Sequence, residues 1–222
     1  VKRILAVKAS IGLHRKENGP EKEYEVYLQC SEHLQWAREC ASDAITLVKD
    51  TQHLLPLDRN RHHRVLYEIL GDSKEDERIT RTFLKAMEKE GFEMIPYEKE
   101  TFDFSKPLAF DTVTEFREKY DAVIYLGNVE NASNKTTNRI NWYTLFGFGN
   151  NMPWFVKEVP TLFVSLQNPY HIIDVPMIST YINCYSNHDV VLEELVRKLV
   201  GKDTFRGVSP VDPFCGKEYL KS

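Results

Sequence analysis

The sequence predicts an α/β fold in which a mostly parallel β-sheet has helices on both of its faces. Two observations indicate this class. Short apolar runs of strand length alternate along the chain with amphipathic stretches of helical spacing. Parallel strands also require such alternation, because each crossover must pass over a face of the sheet before the next strand is added. The expected architecture is a three-layer α/β/α sandwich.

The first half of the pattern begins with a helix. Four small or apolar residues recur at helical spacing: Leu34, Ala37, Ala41 and Ala44. They lead into the run 45–48, where β-branched residues predict a strand. Residues 64–70 form an apolar run that predicts a buried strand, and residues 79–87 show a helical face. Gly91 stands where a helix end favours positive φ, and residues 92–97 return to strand.

The middle of the chain repeats this helix and strand order. Asp111 is the predicted N-cap of a helix over residues 113–120. Residues 122–126 then predict a second buried strand, which Gly127 is expected to end. This strand is one of the longest apolar runs of the chain.

Two more strands and one helix complete the pattern. The strands are expected at residues 161–166 and 178–184, and the last helix is capped by Ser186 or Asn187 and ends before Gly201. Together the elements predict a flavodoxin-like sandwich. In such sheets ligands lie at the carboxyl ends of the strands, near the point where the strand order reverses.

Composition excludes several classes of function. The chain has 222 residues, with 29 Lys and Arg against 33 Asp and Glu, for a formal net charge of −4. A chain without a basic block argues against nucleic acid as a partner, because neutralising phosphates needs clustered cations. Its apolar runs are far shorter than the ~20 residues of a membrane-spanning helix, so no membrane partner is expected.

Cysteine usage favours a reducing compartment. Four scattered cysteines form no C-x-x-C pair, which favours the cytoplasm over secretion. The chain begins without Met on the amphipathic basic stretch 1–13, and the stretch 14–25 is charge-rich with Gly and Pro. We expect residues 1–30 to be the end of a preceding domain plus a linker, and residues 31–222 to be one α/β domain. An absent N-terminus could then hold a signal peptide.

Two loops are the candidate functional segments. Residues 127–151 are rich in amides and hydroxyls, which suit the hydroxyls of a sugar, and Trp142 or Tyr143 offers an aromatic face to a pyranose. An ordinary loop capped by its own Asn and Ser side chains is the alternative. Residues 167–175 follow a strand and include His171, which is either a proton carrier or a structural hydrogen-bonding residue.

Metal and cofactor sites are not expected. Adjacent His62 and His63 would point to opposite faces of a strand, and no cysteine spacing matches a tetrahedral site. The glycine-containing stretch 147–151 stops short of the dinucleotide fingerprint. A nucleotide or flavin binder of flavodoxin type therefore remains only a third hypothesis.

Four segments together resemble the C-terminal domain of family 3 glycoside hydrolases. They are residues 41–50 with 54–57, residues 160–166, residues 168–170 with 174–176, and residues 205–211. Residues 134–142 and the ending 213–216 are most similar to the β-N-acetylhexosaminidase branch. The resemblance extends from about residue 30 to the end, and residues 1–13 resemble the last helix of the catalytic barrel.

The resemblance implies a carbohydrate substrate and a division of labour. In that family an N-terminal (β/α)₈ barrel carries the nucleophile, and in the hexosaminidase branch a His paired with an Asp on the same barrel is the acid/base. Retaining hydrolysis needs two such groups about 5–5.5 Å apart, so a chain without the barrel should be inactive alone. The expected role is to pack on the barrel and to edge the sugar pocket. The candidate contacts are Asn128, Asn131, Asn134, Arg139 and Tyr170.

Two alternatives stay open beside this expectation. In the β-glucosidase branch the C-terminal domain supplies the acid/base Glu, for which Glu130 is the first candidate in this sequence. The chain could instead be a free-standing carbohydrate-binding or interaction domain that shares ancestry with the enzyme. A barrel encoded before residue 1 would exclude that second alternative.

Overall fold

The computed structural model describes residues 1–15, 28, 30–71, 75–98, 112–131, 133, 138–145, 148–149 and 151–222. The chain divides into two compact units, Val1–Ala37 and Arg38–Ser222. Most of the predicted linker over residues 14–25 lies outside the described residues. Among those that are described, no helix has the length and apolar character needed to cross a bilayer.

The first unit is helical where it is described. It contains α1 (Lys2–Ser10), a 3-10 turn at Leu13–Arg15 and the first half of α2 (Ser31–Ala44). No residue of α1 is buried, although the helix carries several apolar side chains. Its stability in isolation is therefore expected to be low, since packing supplies most of the stability of short helices.

The second unit is built on a six-stranded sheet in the order β1-β8-β7-β4-β2-β3. All neighbouring strands are parallel except β1, which pairs antiparallel with β8. The order of the parallel strands is flavodoxin-like, as the sequence predicts. A separate two-stranded ladder is formed by β5 and β6. The strands are β1 (Thr46–Asp50), β2 (Arg64–Gly71), β3 (Glu93–Pro96), β4 (Ala122–Asn128), β5 (Thr144–Leu145), β6 (Phe148–Gly149), β7 (Thr161–Ser165) and β8 (Thr180–Asn183).

One face of the sheet is covered by α3 (Asp76–Lys89) and α5 (Asp189–Leu199). Ile79, Phe83 and Met87 lie one turn apart on α3 and are fully buried. Leu192 and Leu195 of α5 belong to the same apolar cluster. The apolar residues that recur at helical spacing in the sequence are thus the residues that these helices bury in the core.

The opposite face is covered by α4 (Val113–Lys119) and by irregular segments. Phe116 of α4 stacks on Phe155, with ring centroids 4.1 Å apart. Ile172 and Val175, from the loop that follows β7, are fully buried in the same cluster. Helices therefore lie on both faces, as expected, but loops make up a large part of the second layer.

Gly127 does not end β4, contrary to the prediction. The strand continues to Asn128, and Gly127 pairs with Ser165 of β7. A Cβ at Gly127 would lie 2.8 Å from Cζ of Phe163. The glycine is therefore explained by close packing of that ring within the sheet, and not by strand termination.

The start of α4 differs from the predicted one. Asp111, the predicted N-cap, lies outside the described residues. Thr112 is the N-cap, with a capping box in which Thr112 Oγ1 accepts from the Glu115 backbone N–H. The end of α3 is as predicted, since Gly91 follows it with φ of +90°.

The start of α5 also differs. Its N-cap is His188, and not Ser186 or Asn187. The Ser186 hydroxyl accepts from the His188 backbone N–H at 3.3 Å, while the Asn187 side chain bonds to β4. Both predicted cap residues therefore precede the N-cap, Asn187 by one position and Ser186 by two. Gly201 follows the helix with φ of +74°.

Candidate functional site

The carboxyl ends of β2 and β4 lie where the strand order reverses. From β2 the chain proceeds to β3 on one side of the sheet, and then to β4 and β7 on the other. In the register, Gly71 of β2 lies opposite Asn128 of β4, and a Cβ at Gly71 would lie 2.4 Å from the Asn128 carbonyl oxygen. This edge is the position at which α/β sheets of this type bind ligands.

Asn128 is fully buried at this edge and joins three segments. Its Nδ2 donates to Oδ1 of Asp76, in the first turn of α3, at 2.7 Å. Its Oδ1 accepts from Gln167 Nε2 at 3.0 Å and from Asn187 Nδ2 at 3.2 Å. The amide thereby ties β4 to α3, to the loop after β7 and to the segment before α5. This arrangement favours a structural role over contact with a sugar.

The two loops selected from the sequence meet at His171. Its Nε2 lies 3.0 Å from the Asn138 carbonyl oxygen, and its Nδ1 lies 2.9 Å from Ser165 Oγ. Because a carbonyl oxygen only accepts, the ring proton of the neutral imidazole is assigned to Nε2. The Ser165 hydroxyl donates to the Asn168 carbonyl oxygen and lies within hydrogen-bond distance of Nδ1 as well, so its single proton is shared between two acceptors. Burial lowers the pKa of His171, which keeps the ring neutral at physiological pH.

A second connection between the loops is the ion pair of Arg139 with Asp174. The guanidinium lies on the loop after β4, and its side chain is 63% exposed, whereas the Asp174 side chain is only 6% exposed. Asp174 Oδ2 also accepts from the backbone N–H of Ile140 at 3.4 Å. The two loops are therefore joined side by side along the carboxyl edge of the sheet.

The far end of the first loop is fixed by a separate buried contact. Asn151 Nδ2 donates to Oε1 of Glu68, a buried residue of β2, at 2.6 Å. The Tyr125 hydroxyl donates to the Asn151 carbonyl at 2.8 Å, and Asn151 Oδ1 accepts from the Tyr143 backbone N–H at 2.8 Å. Asn151 is thus held by three partners above the sheet.

The remaining candidate residues have different exposures. Glu130 and Asn131 are exposed just beyond the end of β4, and Tyr170 is exposed on the loop after β7. The Tyr170 backbone N–H donates to Asn168 Oδ1 at 3.0 Å, which orders that loop. Asn134 lies outside the described residues.

Chemically, the edge offers hydrogen-bonding groups and no accessible nucleophile paired with a base in the described segments. Ser165 and His171 are within hydrogen-bond distance but are both buried, so their contact is a structural one. Arg139 and Tyr170 are exposed on loops that an ion pair and a hydrogen bond order, and both side chains suit sugar hydroxyls. Across the described residues, no group of three or more His, Cys, Asp or Glu side chains is arranged to hold a metal ion.

Sequence reasoning did not select Asp174 or Asp76 as members of the site. Asp174 stands between Ile172 and Val175, two apolar residues that the fold buries. A carboxylate inside such an apolar stretch indicates a buried group with a partner. Asp76 lies in the first turn of the helix that follows β2, and so at the carboxyl edge of the predicted sheet.

Comparison with known proteins identifies the relatives of this chain. No protein-family model matches the sequence. A curated beta-N-acetylglucosaminidase/beta-glucosidase of Cellulomonas fimi is 41% identical over 223 residues, which is 98% of this chain and 39% of that protein. The beta-glucoside phosphorylase BglX is 35% identical, with a TM-score of 0.85 over 98% of this chain and 38% of that one. The homologues and structural neighbours of this chain are members of glycoside hydrolase family 3.

More distant family 3 structures share the fold. A family 3 beta-N-acetylglucosaminidase from Paenibacillus sp. str. FPU-7 matches with a TM-score of 0.59 at 15% identity, over 96% of this chain and 38% of that one. The chain spans about two fifths of the length of these family 3 relatives. These matches agree with the predicted α/β architecture.

Proposed function

We propose that this chain is the C-terminal accessory domain of a retaining family 3 enzyme of the β-N-acetylhexosaminidase type. In this proposal the domain packs on a catalytic (β/α)₈ barrel of the same protein, edges its sugar pocket and does not cleave glycosides alone. One observation carries the proposal. The match to the Cellulomonas fimi protein includes 98% of this chain but only 39% of that relative.

The local chemistry supports a pocket-edge role for the exposed polar groups. Arg139 and Tyr170 lie on loops that hydrogen bonds and an ion pair hold at the carboxyl edge of the sheet. Asn131 is exposed on the same loop as Arg139, and Asn134 belongs to the same amide-rich segment of the sequence. Ordered polar side chains lose little conformational entropy when they bind a ligand, which favours them as contacts.

The proposal that this domain does not cleave glycosides alone is tested by comparing two proteins. The natural gene product and the isolated 222-residue chain are assayed with an aryl β-N-acetylglucosaminide and an aryl β-glucoside. We expect turnover from the longer protein and none from the isolated chain. Turnover by the isolated chain that is lost on changing one of its own carboxylates would overturn the proposal. A gene product without a barrel would favour the free-standing binding domain.

The pocket-edge role has its own test in the longer protein. Replacing Asn134 and Arg139 by Ala is expected to raise KM for the glycoside, because polar contacts to the sugar are lost. Unchanged KM and kcat would remove these residues from the pocket and leave a purely structural role for the domain.

Phosphorolysis is a second candidate reaction for the whole protein. The similarity to the beta-glucoside phosphorylase BglX, at 35% identity over 98% of this chain, favours testing it. Transfer of the glycosyl group to inorganic phosphate gives a sugar 1-phosphate, whereas transfer to water gives the free sugar. Product analysis with and without phosphate distinguishes the two. If neither the rate nor the product depends on phosphate, hydrolysis is the reaction and phosphorolysis is excluded.

A further inference from the structure

Asp174 is a carboxylate placed almost entirely inside the protein, beside an arginine that is mostly outside it. The Asp174 side chain is 6% exposed and that of its ion-pair partner Arg139 is 63% exposed. A buried charge without a partner costs several kcal/mol, so the acid holds the guanidinium strongly in place. An exposed arginine otherwise samples many rotamers.

The backbone that carries Asp174 is ordered by its own contacts. The Asp174 backbone N–H donates to the His171 carbonyl at 2.9 Å, at the end of a 3-10 turn. Ile172 and Val175 on either side are fully buried, which anchors the turn to the core. Asp174 is therefore fixed relative to the sheet.

The neighbouring loop has a second contact besides its contacts with the carboxylate. His171 Nε2 contacts the Asn138 carbonyl at 3.0 Å, one residue before Arg139. Loss of the Asp174 charge would thus remove this ion pair from the Arg139 side chain, while the His171 contact still restrains the backbone. This separation of roles makes the effect of Asp174 on Arg139 measurable.

We propose that Asp174 is a positioning residue that fixes the direction of the Arg139 guanidinium for contact with the carbohydrate substrate. This inference rests on the proposed function, in which Arg139 edges the sugar pocket. Asp174 itself does not touch substrate, because its carboxylate is buried between Arg139 and the Ile140 backbone. Its contribution is to reduce the entropy that Arg139 loses on binding.

The test uses the natural full-length protein and three variants, D174N, R139A and the double variant. R139A is expected to raise KM about tenfold, the effect of one charged hydrogen bond, with kcat nearly unchanged. D174N should raise KM similarly, and the double variant should be no worse than R139A, because the two residues act as one unit. The matched control is D121N, which removes the ion pair of Asp121 with Arg64 at the opposite edge of the sheet. We expect it to leave KM unchanged.

The outcomes separate this inference from the proposed function. An unchanged KM in R139A would remove Arg139 from the pocket, and the proposed contact would fail. A raised KM in R139A with an unchanged KM in D174N, or additive effects in the double variant, would overturn the positioning role alone. Thermal unfolding shows whether D174N is folded. If it is not, D174E takes its place, since it keeps the charge but displaces the guanidinium, and an unchanged KM in D174E would contradict the inference.

Discussion

Nζ of Lys198 lies 2.8 Å from Oδ2 of Asp203, and the lysine side chain is fully buried. The Ser42 hydroxyl donates to the same carboxylate oxygen at 2.6 Å. Lys198 also donates to the Thr204 carbonyl. These contacts join the last turn of α5 to the end of α2 through the segment that follows α5. The lysine is also favourably placed at a helix C-terminus, where cations stabilise the helix dipole.

Replacing Asp203 by Asn is expected to destabilise the protein by about 3 kcal/mol. The change leaves the buried ammonium of Lys198 without its negative partner, which is among the most costly single changes in a protein interior. Urea unfolding of the wild-type chain and of D203N measures the difference. D43N is the control, because the ion pair of Asp43 with Arg206 is exposed. A loss of stability in D43N as large as in D203N would contradict this explanation.

Acid should weaken the same cluster. Hydrogen bonds from Lys198 and Ser42 hold the pKa of Asp203 well below its usual range. A carboxyl group with a lowered pKa in the folded state stabilises the fold above the unfolded pKa of about 4, and this contribution is lost as the pH falls below it. The unfolded carboxyl takes up its proton between roughly pH 4.5 and pH 3. Over this range the stability of the wild type should therefore decline more steeply than that of D203N.

Gly207 is expected to tolerate no side chain. A Cβ there would lie 2.5 Å from the Ile45 carbonyl oxygen and 2.6 Å from the Ala44 carbonyl oxygen. Both are backbone atoms at the junction of α2 and β1, so they cannot move aside at low cost. Replacing Gly207 by Ala should destabilise the protein by about 1–3 kcal/mol. Val208→Ala is the matched control, because Val208 is exposed. Thermal melts that are equal for the two variants would refute the close approach.

The sheet could be predicted from the sequence because its central strands are almost wholly apolar. Every residue of β4 and of β7 is buried, and each forms a short apolar run between polar segments. Local signals of helix ends were less informative. Thr112 caps α4 through a capping box, whereas the predicted caps of α5, Ser186 and Asn187, have other hydrogen-bond partners.

The candidate site could be predicted only as two loops. Their meeting depends on the parallel pairing of β4 with β7, which brings the segments after both strands to the same edge. Which side chains pair across that edge is a property of three-dimensional packing. Arg139 and Asp174 are 35 residues apart in sequence and carry no local pattern that relates them. Asn128 looked like its neighbouring amides, yet it is fully buried, whereas Asn131 is exposed.

His171 should make the fold sensitive to mild acid. Burial lowers its pKa in the folded protein, with opposing contributions from Asn138 and Asp174 and a further lowering from Arg139. The unfolded chain then binds a proton more readily, so stability decreases as the pH falls through the unfolded value of about 6.5. The urea concentration at the unfolding midpoint should therefore decrease when the pH is lowered from about 7.5 to about 5.5. The decrease should correspond to roughly the uptake of one proton on unfolding.

His171→Gln isolates that contribution, since glutamine keeps a donor but does not titrate. We expect H171Q to be less stable than wild type at neutral pH, because it loses the Ser165 contact. It should nevertheless lose less stability on acidification. The control is H188Q, at an exposed position without a side-chain cap bond. An equal acid response in wild type and H171Q would assign the sensitivity to other groups.

Glu130 distinguishes the two family 3 mechanisms in the full-length protein. It is exposed just beyond the end of β4, at the carboxyl edge of the sheet. If the barrel supplies both the nucleophile and the acid/base, E130Q should change kcat by less than about twofold, because Glu130 then takes no part in proton transfer. Loss of a general acid typically costs 10²–10⁴-fold, so the two mechanisms predict clearly different rates. A loss of that size that is smaller for substrates with acidic leaving groups would identify Glu130 as the acid, since such groups depart without protonation. Circular dichroism of E130Q shows whether any loss of kcat comes from unfolding. A loss of about 10²–10⁴-fold in a folded variant would exclude the mechanism in which the barrel supplies both groups.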